Sequence, residues 1–251
     1  MNQLTSNLHF LLVSFYRPSF GSAQNRRSRK KILTEQRPFP SDTYAFASQI
    51  AFHGGDPDVD LVEMAPRAGE HTLRTADIVA KIKELGEELA LVCFGGVNFY
   101  TGQAFDMAAI TKAAHEIGAI TSFDLAHAAG NLHLKMHEWG ADFACWCSYK
   151  YLNSGPGSVA GAFVHQRHLG KDVPRFAGWW GHDKKERFKM ERAFKPMPTA
   201  EAWQVSNAPV FSMAVHRVAL EQFDRAGMER LRAKSETLPG YLEFIIDGVA
   251  K

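Results

Sequence analysis

The sequence predicts an α/β fold built from consecutive β-α-β units, and three observations carry that prediction. From about Ala76 onward, short compact apolar runs alternate with stretches of helical spacing. Glycines and capping residues punctuate the alternation where strands and helices should end. The chain has 251 residues, 45% hydrophobic and 22% charged, with a mean hydropathy of −0.23, so it is long and apolar enough to bury a sizeable core. Disordered, collagen-like and membrane-channel classes are excluded on the same grounds.

Taken in chain order, His9 to Phe15 is the first apolar stretch. It falls short of the roughly 18–20 apolar residues a membrane span needs. It also lacks the basic segment and small-residue cleavage site of a secretory signal, so a core element is expected. Arg26, Arg27 and the run from Ser28 to Lys31, after Gly21 and Ser22, read as a solvated basic loop. Leu89 to Phe94 is a strand, followed by Gly95, Gly96 and a polar turn through Gly102. Asp106 suits the N-cap of a helix in which Met107, Ile110, Ala114 and Ile117 recur, closed by Gly118. Ala119 to Phe123 is the next strand and delivers Asp124 at its carboxyl end. A short helix from His133 to Trp139 stops at Gly140, and Ala141 to Ser148 forms a third strand that delivers Tyr149 and Lys150. Gly155-Pro156-Gly157 breaks the chain before Ser158 to His165, whose alternation predicts a strand pairing back along the sheet. The tail from Val210 to Phe244, with Val215, Val218, Ala219 and Phe223 in helical register, is expected to pack as helices. No internal repeat is evident.

Lys and Arg total 29 against 27 Asp and Glu, a net charge of +2, so nothing asks for nucleic acid or an anionic membrane as partner. A small-molecule substrate fits better. Three cysteines, Cys93, Cys145 and Cys147, are too few for a disulfide scaffold and favour a reducing cytosol. They read as strand residues rather than nucleophiles. His133 and His137 stand one helical turn apart, but no third ligand has a fitting spacing, so no metal is expected.

The chemistry lies at the strand ends. In open α/β sheets ligands sit in the crevice outside the carboxyl ends of the strands, which Asp124 and Lys150 would both face. Alone, a loop lysine is usually a surface cation and an aspartate after a strand usually a cap. Together they have the layout of a pyridoxal phosphate site, where a lysine holds the cofactor as a Schiff base and a carboxylate keeps the ring nitrogen protonated.

Longer motifs sharpen this reading. They are Phe39-Pro40-Ser41-Asp42, Gly96-Val97-Asn98-Phe99-Tyr100-Thr101-Gly102-Gln103, Phe123-Asp124-Leu125-Ala126-His127-Ala128-Ala129-Gly130-Asn131, the run from Trp146 through Ser148-Tyr149-Lys150-Tyr151 to Gly157, Gly178-Trp179-Trp180-Gly181-His182 and Val205-Ser206-Asn207-Ala208-Pro209. In this order they resemble the kynureninase family of fold-type-I pyridoxal phosphate hydrolases, over nearly the whole chain. The resemblance implies a fold-type-I large domain over residues 1–251, mostly parallel sheet with helices on both faces. Residues from about 210 onward would lead toward a small C-terminal domain that is largely missing; relatives are longer at both ends, and that domain supplies an arginine for the substrate carboxylate. The stretch from Pro18 to Ile32 is expected to be a surface insertion.

Carried over residue by residue, the resemblance makes Lys150 the Schiff-base lysine and Asp124 the partner of the pyridine nitrogen. It makes Phe39 the aromatic stacked on the ring, and Pro40, Ser41, Asp42 and His127 further pocket residues. Leu4 and Thr5 would hold the phosphate with Tyr149 and Trp179, Asn207 would stand at the cofactor and substrate end, and Tyr149 is a candidate proton relay. Gly95 stands where many relatives place Ser or Thr, so a backbone amide would replace a side-chain donor there. The implied reaction is hydrolysis of L-kynurenine or 3-hydroxykynurenine to anthranilate or 3-hydroxyanthranilate and L-alanine, in tryptophan catabolism and NAD biosynthesis, by a cytoplasmic homodimer. Two alternatives stay open. One is another fold-type-I activity, such as a cysteine desulfurase or an aminotransferase-like lyase. The other is an inert fragment that only binds pyridoxal phosphate or a partner subunit.

Overall fold

The computed structural model describes residues 3–19 and 28–249. The chain opens with α1 (Leu4–Phe15), whose Leu8, Leu11, Leu12 and Phe15 are buried, so the first apolar stretch is the core element its sequence predicts. Next come β1 (Lys31–Glu35), α2 (Pro40–Phe52), the single-turn α3 (Pro57–Asp60), β2 (Leu61–Met64) and α4 (Thr75–Leu85). The alternation then runs through β3 (Leu89–Gly95), α5 (Met107–Glu116), β4 (Ile120–Asp124), α6 (Met136–Trp139), β5 (Phe143–Trp146) and β6 (Gly161–Val164). Two helices, α7 (Val210–Ala226) and α8 (Met228–Val249), close the described chain.

The six strands form one sheet in the order β2-β1-β3-β4-β5-β6. All neighbours are parallel except β5 and β6, which pair antiparallel from Phe143 opposite Val164 to Trp146 opposite Gly161. The return strand predicted from Ser158 to His165 is therefore present, in shorter form. After β1 the chain places β2 on one side and β3 on the other, so strand order reverses beside β1 and opens a crevice at the strands' carboxyl ends.

Alternation along β3 divides the core. Val92 and Phe94 pack with Ile78, Ile82 and Ile110 of α4 and α5 on one face. Leu91 and Cys93 pack with Leu8, Leu12, Phe46 and Ile50 of α1 and α2 on the other. Helices thus cover both faces of a mostly parallel sheet, as predicted. Asp106 caps α5 as expected, its carboxylate accepting the Ala109 amide at 2.9 Å, and Gly118 turns the chain with a φ of 75°.

Three expectations change. Ser28 to Lys31 is not a solvated loop: Arg29 donates to the Leu89 and Ile117 carbonyls at 2.8 and 2.9 Å, Lys30 pairs with the buried Asp60, and Lys31 begins β1. The start of β3 and the residue after α5 supply carbonyls to Arg29, and α3 supplies the Asp60 carboxylate to Lys30. Gly21, Ser22, Arg26 and Arg27 lie outside the described residues. The strand read from Ala141 to Ser148 spans only Phe143–Trp146. Before it, the Asp142 carboxylate takes the Thr121 amide; after it, Ser148 turns its hydroxyl onto the Val159 carbonyl. In the tail, both helices form, but α7 buries only His216 and Ala219 and α8 buries no side chain. Periodicity sets the stripe, not whether anything covers it.

Candidate active site

A pocket of about 420 Å³ opens where strand order reverses. Its walls come from the carboxyl ends of β1, β3 and β4, the first turns of α1 and α2, and the loop after β5. Among the predicted site residues, Leu4, Thr5, Phe39, Ser41, Asp42, Gly95, Asp124, His127, Tyr149 and Lys150 all line it. Residues far apart in sequence meet because parallel strands deliver their carboxyl ends to one edge.

At the base stand acids. Asp124, paired in register with Gly95 at the end of β4, is buried, and its Oδ1 accepts the Ala126 amide at 2.7 Å. Asp42, also buried, shares a hydrogen bond with Asp124. Burial pushes both carboxyls up from their ordinary range, and Asp42 rises well above it because Asp124 adds like charge, so the shared proton belongs to Asp42. Asp42 Oδ1 is buried and has no neutral or cationic donor as partner in the structure.

On the opposite wall, Lys150 Nζ lies 2.9 Å from His127 Nε2. Burial, then the Lys150 charge, lowers the His127 pKa, so the ring is neutral and Nε2 accepts from the ammonium. The same ammonium sits 5.4 Å from the centroid of Phe39. Two glycines set these walls. A Cβ on Gly96 would lie 2.7 Å from Ala128 Cβ, and Gly130, at a φ of 81°, lets the turn carrying His127 lie against the Tyr151 backbone beside Lys150. Burial and then Cys147 raise the Tyr149 hydroxyl pKa, so it is a proton donor at neutral pH.

The phosphate end is built differently. At the start of α1, Gln3 makes no side-chain cap bond, so the first-turn amides at Leu4 and Thr5 stay available to an anion. Gly95 contributes no free amide, because its N–H donates to both oxygens of Glu35 at 3.1 and 3.2 Å. Three predicted residues stay outside the pocket lining. Pro40 is the first residue of α2 between Phe39 and Ser41, the Trp179 indole donates to the Arg187 carbonyl at 3.0 Å, and Asn207 is exposed ahead of α7. Sequence reasoning missed Glu35, Val97, Phe99 and Ala126. The signal for Glu35 was a charged residue closing the short run Ile32-Leu33-Thr34, just ahead of Phe39.

The donor set fits pyridoxal phosphate. An uncapped helix start offers amides to a phosphate, an unpartnered buried Asp42 oxygen and Asp124 await a cationic ring nitrogen, and a lysine amine faces both beside an aromatic face. Among the described residues no cluster of three or more His, Cys, Asp or Glu could hold a metal ion.

Comparison with known proteins agrees. The chain is 58% identical over 248 residues to a kynureninase from Myxococcus xanthus, covering 98% of this chain and 57% of that one. A kynureninase from Christiangramia forsetii is 55% identical over 247 residues, with 98% and 56% covered. The chain thus spans just over half the length of these relatives. In solved structures, a cysteine desulfurase from Thermococcus onnurineus shares the fold with a TM-score of 0.75 at 17% identity, covering 99% of this chain and 57% of that one. The predicted fold-type-I architecture is thereby met in both sequence and shape. Residues 59–250 match the aminotransferase class-V family, and the chain belongs to it.

Proposed function

We propose that the protein hydrolyses L-kynurenine or 3-hydroxy-L-kynurenine with pyridoxal phosphate, adding one water to give L-alanine and anthranilate or 3-hydroxyanthranilate. The observation that carries this reading is that Lys150 and Asp124 line one pocket, in a chain more than half identical to kynureninases over nearly its full length. When bound, the cofactor supplies an electron sink conjugated to the substrate α-carbon. Asp124 would hold the proton on the ring nitrogen, and Asp42, sharing its proton with Asp124, would keep that end from carrying two full charges. Lys150 Nζ would hold the cofactor at its aldehyde carbon and, when free, would take the proton from the substrate α-carbon. Neutral His127 orients that amine from 2.9 Å. The Tyr149 hydroxyl, which lines the pocket next to the lysine, is the proton donor, and Leu4 and Thr5 amides bind the phosphate.

In this reading, residues 1–251 form one cofactor-binding large domain, and the working protein is a cytoplasmic homodimer. The half-exposed rings of Phe39, Phe99 and Tyr149 around the pocket support a covered active-site mouth. No described helix is long and apolar enough to cross a membrane. A cysteine desulfurase needs a mobile reactive thiol, and none of Cys93, Cys145 and Cys147 is one: all three are buried, and burial pushes their thiols up.

Borohydride reduction of the protein with pyridoxal phosphate, followed by peptide mapping, tests the site: the label is expected on Lys150 and absent from Lys150→Ala. Incubation with L-kynurenine then tests the reaction. A folded, labelled protein that releases neither alanine nor anthranilate removes the proposed activity while leaving the cofactor site in place.

A further inference from the structure

The cofactor pocket holds more acid than its chemistry has so far used. Glu35, Asp42 and Asp124 are all buried and line it together, and Lys150 is the one lysine or arginine among the described residues in its walls. His127, being neutral, adds no charge. Asp42 keeps its proton, so Asp124 and Glu35 are the two carboxyls left to face a cationic ring.

Glycine at position 95 is what brings Glu35 to this place. Gly95 pairs in register with Asp124, and partners in register point to the same face of a sheet, so a side chain at position 95 would stand beside the Asp124 carboxyl. Instead the Glu35 carboxylate lies over that space: a Cβ on Gly95 would be 3.0 Å from Glu35 Oε1, closer than such contacts ordinarily come. The Gly95 amide, donating to both oxygens at 3.1 and 3.2 Å, and the Thr34 hydroxyl at 3.2 Å fix the carboxylate there. Burial raises the Glu35 carboxyl and Asp124 adds to the rise, while these hydrogen bonds favour the ionised form. The titrating groups around it in the pocket are Asp42 of α2, Cys93 of β3, Asp124 of β4, His127 from the turn after β4, and Tyr149 and Lys150 from the loop after β5. Arg37, Glu70 and His71 line an adjoining cavity of about 680 Å³ that Glu35 also borders.

We propose that Glu35 is a positioning residue for the cofactor: its ionised carboxylate, admitted beside Asp124 by the glycine at position 95, helps Asp124 to hold the proton on the ring nitrogen. The inference rests on the proposed function, in which Asp124 is the partner of that nitrogen. A carboxylate close to the ring favours every protonated form of the bound cofactor, its Schiff base with Lys150 included. The Schiff base therefore keeps its proton to a higher pH than Asp124 alone would allow. Asp42 does not replace the charge when Glu35 is neutralised, because burial and Asp124 come ahead of Glu35 among the causes that keep Asp42 protonated.

The test titrates with pH the Schiff-base absorption band of this chain loaded with pyridoxal phosphate. Borohydride labelling of Lys150 and the urea midpoint of the cofactor-free protein are measured on the same samples. Glu35→Gln keeps the size of the side chain and an acceptor oxygen but removes the charge. Its band is expected to titrate about one pH unit below the wild type's, with Lys150 still labelled. Gly95→Ser puts a side chain against Glu35 Oε1 and is expected to move the band in the same direction by less. Glu35→Asp, which keeps the charge, is expected to stay closer to the wild type than Glu35→Gln. A purely structural tie between β1 and β3 would lower the urea midpoint and leave the band unmoved. A labelled Glu35→Gln protein that titrates with the wild type therefore overturns the role of Glu35 and leaves the proposed function standing; if that variant does not fold, an unmoved band in Gly95→Ser has the same meaning. A folded wild type that takes no label at Lys150 overturns both.

Discussion

At the level of single residues, the acids at the base of the pocket give the clearest consequence. An unfolded aspartate releases its proton near about pH 3.9, but Asp42 keeps its proton well above that because it is buried beside Asp124. Over the interval between the two values the folded chain binds one more proton than the unfolded chain. Stability of the cofactor-free protein must then fall as pH rises, by about 1.4 kcal/mol per pH unit for this one group. Asp42→Asn removes that contribution, so its urea midpoint is expected to decline less steeply than the wild type's as pH rises above about 3.9. Parallel declines would show that Asp42 ionises as freely in the folded chain as in the unfolded one. The sequence made Asp124 and Lys150 legible because each follows an apolar run, Asp124 closing β4 and Lys150 standing in the loop just after β5. Glu35 and Phe99 escaped for the opposite reason. Glu35 closes a strand of only five residues, opened and closed by charge, and Phe99 lies in a segment that reads as a polar turn.

Among elements, those with strong local signals were the ones read correctly. The α5 helix had its cap, its stripe and its terminating glycine, and it forms as expected. Asp106→Ala is expected to destabilise the protein by about 1 kcal/mol, measured by urea unfolding, because the Ala109 amide loses its acceptor. The elements from β1 to α4 had weaker signals. Their strands are short and their helices are shaped by tertiary contacts, such as Tyr16 donating to the Lys30 carbonyl, that no window of sequence contains. Asp142 is a further case. Buried between β4 and β5, it accepts from His115, Thr121, Arg167 and His168, which joins α5, two strands and the segment after β6. Burial alone would raise its carboxyl, but the hydrogen bonds from His115, His168, the Thr121 amide and Arg167 hold it well below the usual carboxylate range. A depressed carboxylate contributes stability that is present above the unfolded value and lost as pH falls through and below about 3.9. Asp142→Ala is expected to cost about 3 kcal/mol at neutral pH, the low end for breaking a buried pair, since His115 and Arg167 remain a third exposed. A loss under about 1 kcal/mol in chemical denaturation would mean that the cluster behaves as a surface ion pair.

Across the whole molecule, stability is distributed very unevenly. In β3, every residue from Leu89 to Phe94 is buried, and the strand pairs on both sides. At the other extreme, α8 is 22 residues long with no buried side chain, and Pro239 inside it cannot donate to the helical ladder. Leu242, Phe244, Ile246 and Val249 all face solvent there. A helix that buries no side chain is held mainly by its local hydrogen bonds, so it opens at little cost, whereas exposing β3 requires unpacking both halves of the core. Hydrogen exchange followed by mass spectrometry is therefore expected to show peptides from α8 fully exchanged at the earliest time points while those from β3 and β4 stay protected. Between these limits lies α7, tied to the loop after Lys150 by the 2.7 Å bond between Ser154 and His216. Its first half should exchange more slowly than α8, and His216→Ala should bring the two together. Protection of α8 comparable to that of β3 would mean that its apolar side chains are covered in solution, and its exchange at increasing protein concentration would then tell whether another copy of the chain covers them.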